Sequence, residues 1–237
     1  MDRKPRGWCL IINNETFPDN FRNGSHKDKE RLKEVFGKLK FNIRVEKDLD
    51  DNQMRNTLNE FAGLDHTSFD CFVCCVLTHG KLDELKGTNG KYVTIKELTA
   101  KFHASKCISL LGKPKLFFLQ ACQGNDEMKG AEIEMDGDSS TAKLTDTRAK
   151  EIIPDEADFL LGYATSPGFV SSRDRNNGSI YIQTLCKHLE DYALTGKHDI
   201  VSILTMVNYD VAKENINGTT KQMPAPVLKL RKQLFFE

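Results

Sequence analysis

Three runs of the chain are apolar without interruption: Gly7 to Asn13, Cys71 to Leu77, and Leu116 to Leu119. Each is bounded by turn-forming residues, the pattern of a strand buried on both faces. Between the first two lie stretches in which apolar residues recur at helical spacing. Leu32, Val35, Phe36 and Leu39 make one stripe, and Met54, Leu58 and Phe61, behind the capping candidates Asp50 and Asp51, make another. Phe41 to Val45 supplies a further short strand between them. Strand, helix, strand, helix, strand in this order predicts an α/β fold: a mostly parallel sheet with helices on both faces.

The second half repeats the theme. Leu85 to Ile95 folds as a hairpin about Thr88-Asn89-Gly90, and a helix over about 96–102 precedes the Leu116 strand. A strand is expected over Ala157 to Thr165, then helices over about 180–192 and behind an Asp199 cap. A closing strand is expected over Val227 to Phe236, where Leu228, Leu230, Leu234 and Phe236 fall on even positions. Between Asn125 and Ile153 the chain is charged and carries no sustained apolar period. A structureless gap of about thirty residues inside a compact domain reads as a surface loop or a processing linker.

Composition narrows the field. Lys+Arg and Asp+Glu balance at 34 each, so no net field draws the chain to nucleic acid or a membrane surface. No stretch approaches the roughly 18 apolar residues of a spanning helix. The 7 cysteines are odd in number and mostly sit in apolar runs, as suits a reducing, cytoplasmic protein better than a disulfide framework. No metal or other cofactor is expected. Cys71, Cys74 and Cys75 invite a zinc reading, but strand geometry points 71 and 75 one way and 74 the other.

The chemistry concentrates at Lys113 to Gly124, Lys-Pro-Lys-Leu-Phe-Phe-Leu-Gln-Ala-Cys-Gln-Gly. Cys122 differs from the other cysteines because the apolar run has stopped and a glycine follows two residues on. A thiol at the carboxyl end of a strand in an α/β sheet stands where such folds bind ligands. Nucleophilic catalysis requires a thiolate and a base. His79 ends a buried strand and would emerge on the same sheet edge as Cys122. His26, His66, His103, His188 and His198 lie among charged residues, where solvated side chains are the ordinary outcome.

Gln120-Ala121-Cys122-Gln123-Gly124, with a histidine about 43 residues upstream, resembles the signature of the caspases. The resemblance runs over nearly the whole chain and implies a three-layer caspase-like fold on a six-stranded sheet. It implies Cys122 as nucleophile, His79 as its proton partner, and the backbone N–H groups of Gly80 and Cys122 as oxyanion hole. It implies an aspartate pocket made by Arg22, Gln120 and Arg173, because a carboxylate suits the planar fork of arginine. Ser172 and Ile180 stand where many caspases carry aromatic residues. The pockets for the second and fourth residues before the cut should therefore be wider, unless neighbours such as Phe169 fill them.

In the polar stretch, Ile133-Glu134-Met135-Asp136 has the form cut by initiator caspases, and Lys143-Leu144-Thr145-Asp146 is a second candidate. Cleavage after Asp136 and Asp146 would divide a large subunit (1–136) from a small one (147–237), with 137–146 as linker. The resemblance implies an initiator of the death-receptor apoptosis pathway, activated by homodimerisation through strand 227–236 and by linker autoproteolysis. Its substrates would be proteins and peptides with aspartate before the cut. A death-effector adaptor would act only through a prodomain that this sequence does not contain. The competing readings are a catalytically inactive caspase-like regulatory partner, which would lack the cysteine or the pocket arginines, and another Cys–His hydrolase such as an amidotransferase, which would leave Arg22 and Arg173 without a role.

Overall fold

The computed structural model describes residues 1–129, 153–216 and 218–236. The first half runs β1 (Trp8–Asn13), α1 (Ser25–Lys38), β2 (Asn42–Lys47), α2 (Asp51–Ala62), β3 (Phe72–Leu77). A small antiparallel sheet follows, β4 (Gly80–Lys81), β5 (Glu84–Lys86) and β6 (Tyr92–Thr94), and then α3 (Ile95–Thr99) and β7 (Lys115–Gln120). After β7 come the short strands β8 (Gly124–Asp126) and β9 (Met128–Lys129). The rest comprises β10 (Phe159–Tyr163), β11 (Gly168–Phe169), β12 (Arg173–Asp174), β13 (Gly178–Ser179), α4 (Ile180–His188), α5 (Ile200–Lys213), β14 (Thr220–Lys221) and β15 (Ala225–Leu228).

The central sheet has six strands in the order β15-β10-β7-β3-β1-β2. All its pairings are parallel except β10 with β15. Alternation along the buried strands builds two cores. Cys9 and Ile11 join Phe36, Tyr181, Leu185 and Val207 beneath α1, α4 and α5, while Leu10 and Ile12 join Met54, Leu58, Phe61 and Phe102 on the other face. Cys71 and Cys75 fall in the first core and Cys74 in the second, as the period of two requires. Helix starts are fixed as the sequence indicated. Asp50 and Gln53 form a reciprocal capping box, and Asp199 accepts from the N–H groups of Val201 and Ser202. Among the described residues no helix is long and apolar enough to cross a membrane.

Four expectations need correction. The closing strand is Ala225–Leu228, not Val227 to Phe236. Beyond it Arg231 grips Asp158 at 2.7 Å and turns the chain, and Leu234 and Phe236 enter the first core, Phe236 with its ring 6.0 Å from that of Phe41. The polar stretch is not structureless from its start. Gly124–Asp126 pairs with Gly168–Phe169 and Met128–Lys129 with Thr220–Lys221, using backbone groups that a side-chain pattern does not report. The helix expected over about 180–192 is α-helical only to His188 and continues as a π turn over Leu189–Ala193. His66 and His188 are buried rather than solvated: His66 packs on Phe69 and Phe72 and bonds to Phe61 O, and His188 stacks on Tyr192 and bonds to Asp210 at 2.8 Å. Asp136 and Asp146 lie outside the described residues.

Candidate active site

Strand register brings the two expected catalytic side chains together. Leu77 at the end of β3 pairs with Gln120 at the end of β7, so His79 and Cys122 each stand two residues beyond the same rung. Both line a cleft of about 280 Å³ with Thr78, Ser171 and Arg173. The Ser171 N–H donates to Cys122 Sγ at 3.5 Å, and the Ser171 hydroxyl lies 3.8 Å from the same sulfur. Gln120 Nε2 donates to that hydroxyl at 3.1 Å. The other six cysteines are fully buried free thiols, and burial raises those of Cys9, Cys71, Cys74, Cys75 and Cys186 away from the reactive thiolate form.

The His79 ring meets the edge of Phe17 at 4.8 Å, and its Nε2 is buried without a partner among the described residues. Burial, reinforced by the charges of Arg22, Arg173 and Lys86, lowers its pKa to about 4. At neutral pH the imidazole is therefore uncharged and able to accept a proton. Gly80 leaves no room for a side chain: a Cβ would lie 2.9 Å from Cys122 O and 2.8 Å from Glu84 O. The Cys122 backbone N–H donates to none of the described residues.

Arg22 is 1% exposed, anchored by donation from Nη1 to Asn14 O at 2.9 Å and to the Ser25 hydroxyl at 2.8 Å. Ser25 in turn donates to Asn13 Oδ1, so the end of β1 and the start of α1 hold the guanidinium. Burial and the nearby Arg173 lower its pKa to about 9, so it stays cationic at neutral pH. Arg173, on the β12–β13 hairpin, donates from Nε to Asn23 O at 2.8 Å. Arg22 Nε and Gln120 Oε1 are buried and unpaired among the described residues. Burial lowers the pKa of Arg173 as well, and two buried guanidiniums, with an N–H unspent, form a site that an incoming carboxylate would stabilise.

Ser172 and Arg173 lie between this cleft and a second cavity of about 500 Å³ bounded by Ile180. Phe169 lines neither. Sequence reasoning missed Ile216, which lines both cavities, and Gln222. Gln222 is buried; its Oε1 accepts from the Ser172 N–H at 2.7 Å and its Nε2 donates to Ala164 O at 2.7 Å. Nothing in the sequence pattern marks it, because its partners are backbone groups far along the chain. Among the described residues no cluster of His, Cys, Asp and Glu could hold a metal ion.

The caspase domain profile matches residues 6–235. The chain is 45% identical to caspase-8 of Mus musculus, aligning over 100% of its own length and 52% of that protein. It is 38% identical to caspase-7 of Gallus gallus and 37% identical to caspase-3 of Bos taurus, covering 79% and 86% of those proteins. The chain thus spans about half the length of the caspase-8 relatives it matches.

Proposed function

The chain belongs to the caspase family, and from that premise we propose that it is a cysteine endopeptidase cutting after aspartate. The observation that carries this reading is the placement of Cys122 and His79 on one cleft beside Arg22, Gln120 and Arg173. The substrate carboxylate would lie between the two guanidiniums, taking the free Arg22 N–H. Neutral His79 accepts the Cys122 proton as the thiolate attacks the carbonyl, and the N–H groups of Gly80 and Cys122 hold the oxyanion. The imidazolium then returns its proton to the leaving amine. Neutral again, His79 takes a proton from water, which cleaves the thioester and frees Cys122.

On the same reading the protein is a cytoplasmic initiator of the death-receptor apoptosis pathway, active as a homodimer. It is processed after Asp136 and Asp146 into subunits 1–136 and 147–237. Its identity to caspase-8 and the apolar-Glu-X-Asp form of Ile133–Asp136 support this. The test is hydrolysis of an Ile-Glu-Met-Asp reporter, with Asn and Glu versions of the last residue, over a range of protein concentrations. The Asp reporter alone should be cut, with a rate rising faster than linearly with concentration. Cys122→Ala should remove at least about a thousandfold of the activity. Silence at every concentration would favour the inactive regulatory partner instead.

A further inference from the structure

The second cavity adjoins the cleft through Ser172, Arg173 and Ile216 and is walled by Ile180. Three charged groups line it: Arg173, Asp174 and Glu214. Arg173 lines the first cleft as well, and its charge is engaged there: its Nε donates to Asn23 O and it lowers the pKa of Arg22. The carboxylates remain. Asp174 Oδ1 accepts from the N–H groups of Asn176 and Asn177, both at 2.8 Å, which fixes the group, while Oδ2 accepts from none of the described residues. Glu214 is the C-cap of α5, so the negative end of a 14-residue helix adds to its charge. The lining thus combines two apolar branched side chains, Ile180 and Ile216, with the carboxylates of Asp174 and Glu214.

Lysine and arginine match that arrangement, since both carry an apolar stem and a cationic head. We propose that this cavity selects a basic residue, lysine or arginine, at the fourth position before the cut and rejects an acidic one there. The inference rests on the protease reading above. Ile180 and Ile216 would hold the stem, and Asp174 Oδ2 and Glu214 the charge. An acidic side chain would face the like charges of Asp174 and Glu214, with only neutral donors such as Asn177, Thr184 and Asn215 beside Arg173 to set against them. An apolar residue would fill the cavity that Ile180 in place of an aromatic widens, and leave its polar rim unused. In the chain's own sequence, Lys143 stands at the fourth position of the Lys143–Asp146 segment.

The experiment compares fluorogenic Lys-Glu-Met-Asp, Ile-Glu-Met-Asp and Glu-Glu-Met-Asp on the unaltered protein, on Asp174→Asn, on Glu214→Gln and on the double variant. Asparagine keeps the acceptor that Asn176 and Asn177 use, so the loop is retained. On the unaltered protein kcat/KM should fall in the order Lys, Ile, Glu, with Lys about tenfold or more above Glu, and added salt should narrow the gap. Each single variant should shrink the Lys-to-Glu ratio several-fold and the double variant should bring it near one. Cleavage of the Glu reporter as fast as the Lys reporter, a faster Ile reporter, or a ratio untouched in the double variant would overturn the inference with the protease reading intact. Failure of all three reporters overturns both.

Discussion

At the scale of single residues the site depends on the charge state of His79. Its imidazole is held neutral because burial and three neighbouring cations oppose a further positive charge. NMR titration of the unliganded protein should give His79 a pKa near 4, against 6.5 for an unperturbed histidine. A value near 6.5 would count against the neutral base. Binding a peptide that ends in aspartate places a carboxylate beside Arg22 and Arg173, so the His79 pKa should rise in the complex. The sign for stability follows. Between about 4 and 6.5 the unfolded chain binds a proton at this position that the folded chain refuses, so folding weakens as pH falls through that window.

At the scale of elements, the residues proposed to read the substrate are held by a hairpin, by backbone anchors and by the first residue of α1. The β12–β13 pairing carries Arg173, and Gln222 ties the Ser172 N–H to the end of β10 through Ala164 O. Gln222→Ala would leave the part-buried Ser172 N–H and the buried Ala164 O without this partner, at a cost of about 1–3 kcal/mol for the buried group. Its effect should appear mainly in KM for aspartyl reporters, about tenfold upward, with kcat changed less, because His79 and Cys122 follow other strands, β3 and β7. Gln222→Glu keeps the acceptor for Ser172 and should recover part of the loss. An equal fall in kcat for both variants would assign Gln222 to general stability instead.

At the scale of the whole molecule, the edge of the sheet and the tail beyond it have different roles. β15 is an outer strand, and Val227 and Leu228 are 44% and 42% exposed, whereas Phe236 is 2% exposed in the protein's own core. An uncovered edge with apolar side chains is a pairing surface. Val227→Arg should therefore weaken self-association, measured by sedimentation, while leaving the melting temperature nearly unchanged. Phe236→Asp should act the other way, destabilising the fold by about 3 kcal/mol or more through loss of core packing. Unchanged association in Val227→Arg would remove β15 from the proposed dimer.

Much of this was present in the sequence. The uninterrupted apolar runs fixed the central strands, because a parallel sheet covered on both faces tolerates no polar alternation. The end of one such run at Cys122, and of another at His79, was enough to place the pair on one edge. Arg22, Gln120 and Arg173 were legible only through resemblance, since a loop arginine has no local signal of its own. Tertiary structure alone decided what depends on contacts between distant segments. The neutral state of His79 comes from burial first and then from the cations Arg22, Arg173 and Lys86, on three separate segments. The tail leaves its alternating pattern because Arg231 meets Asp158, and the second cavity owes its negative rim to Asp174 and Glu214, from separate elements. Local pattern reports what a residue does to its own backbone; charge and cavity shape are sums over neighbours that only folding assembles.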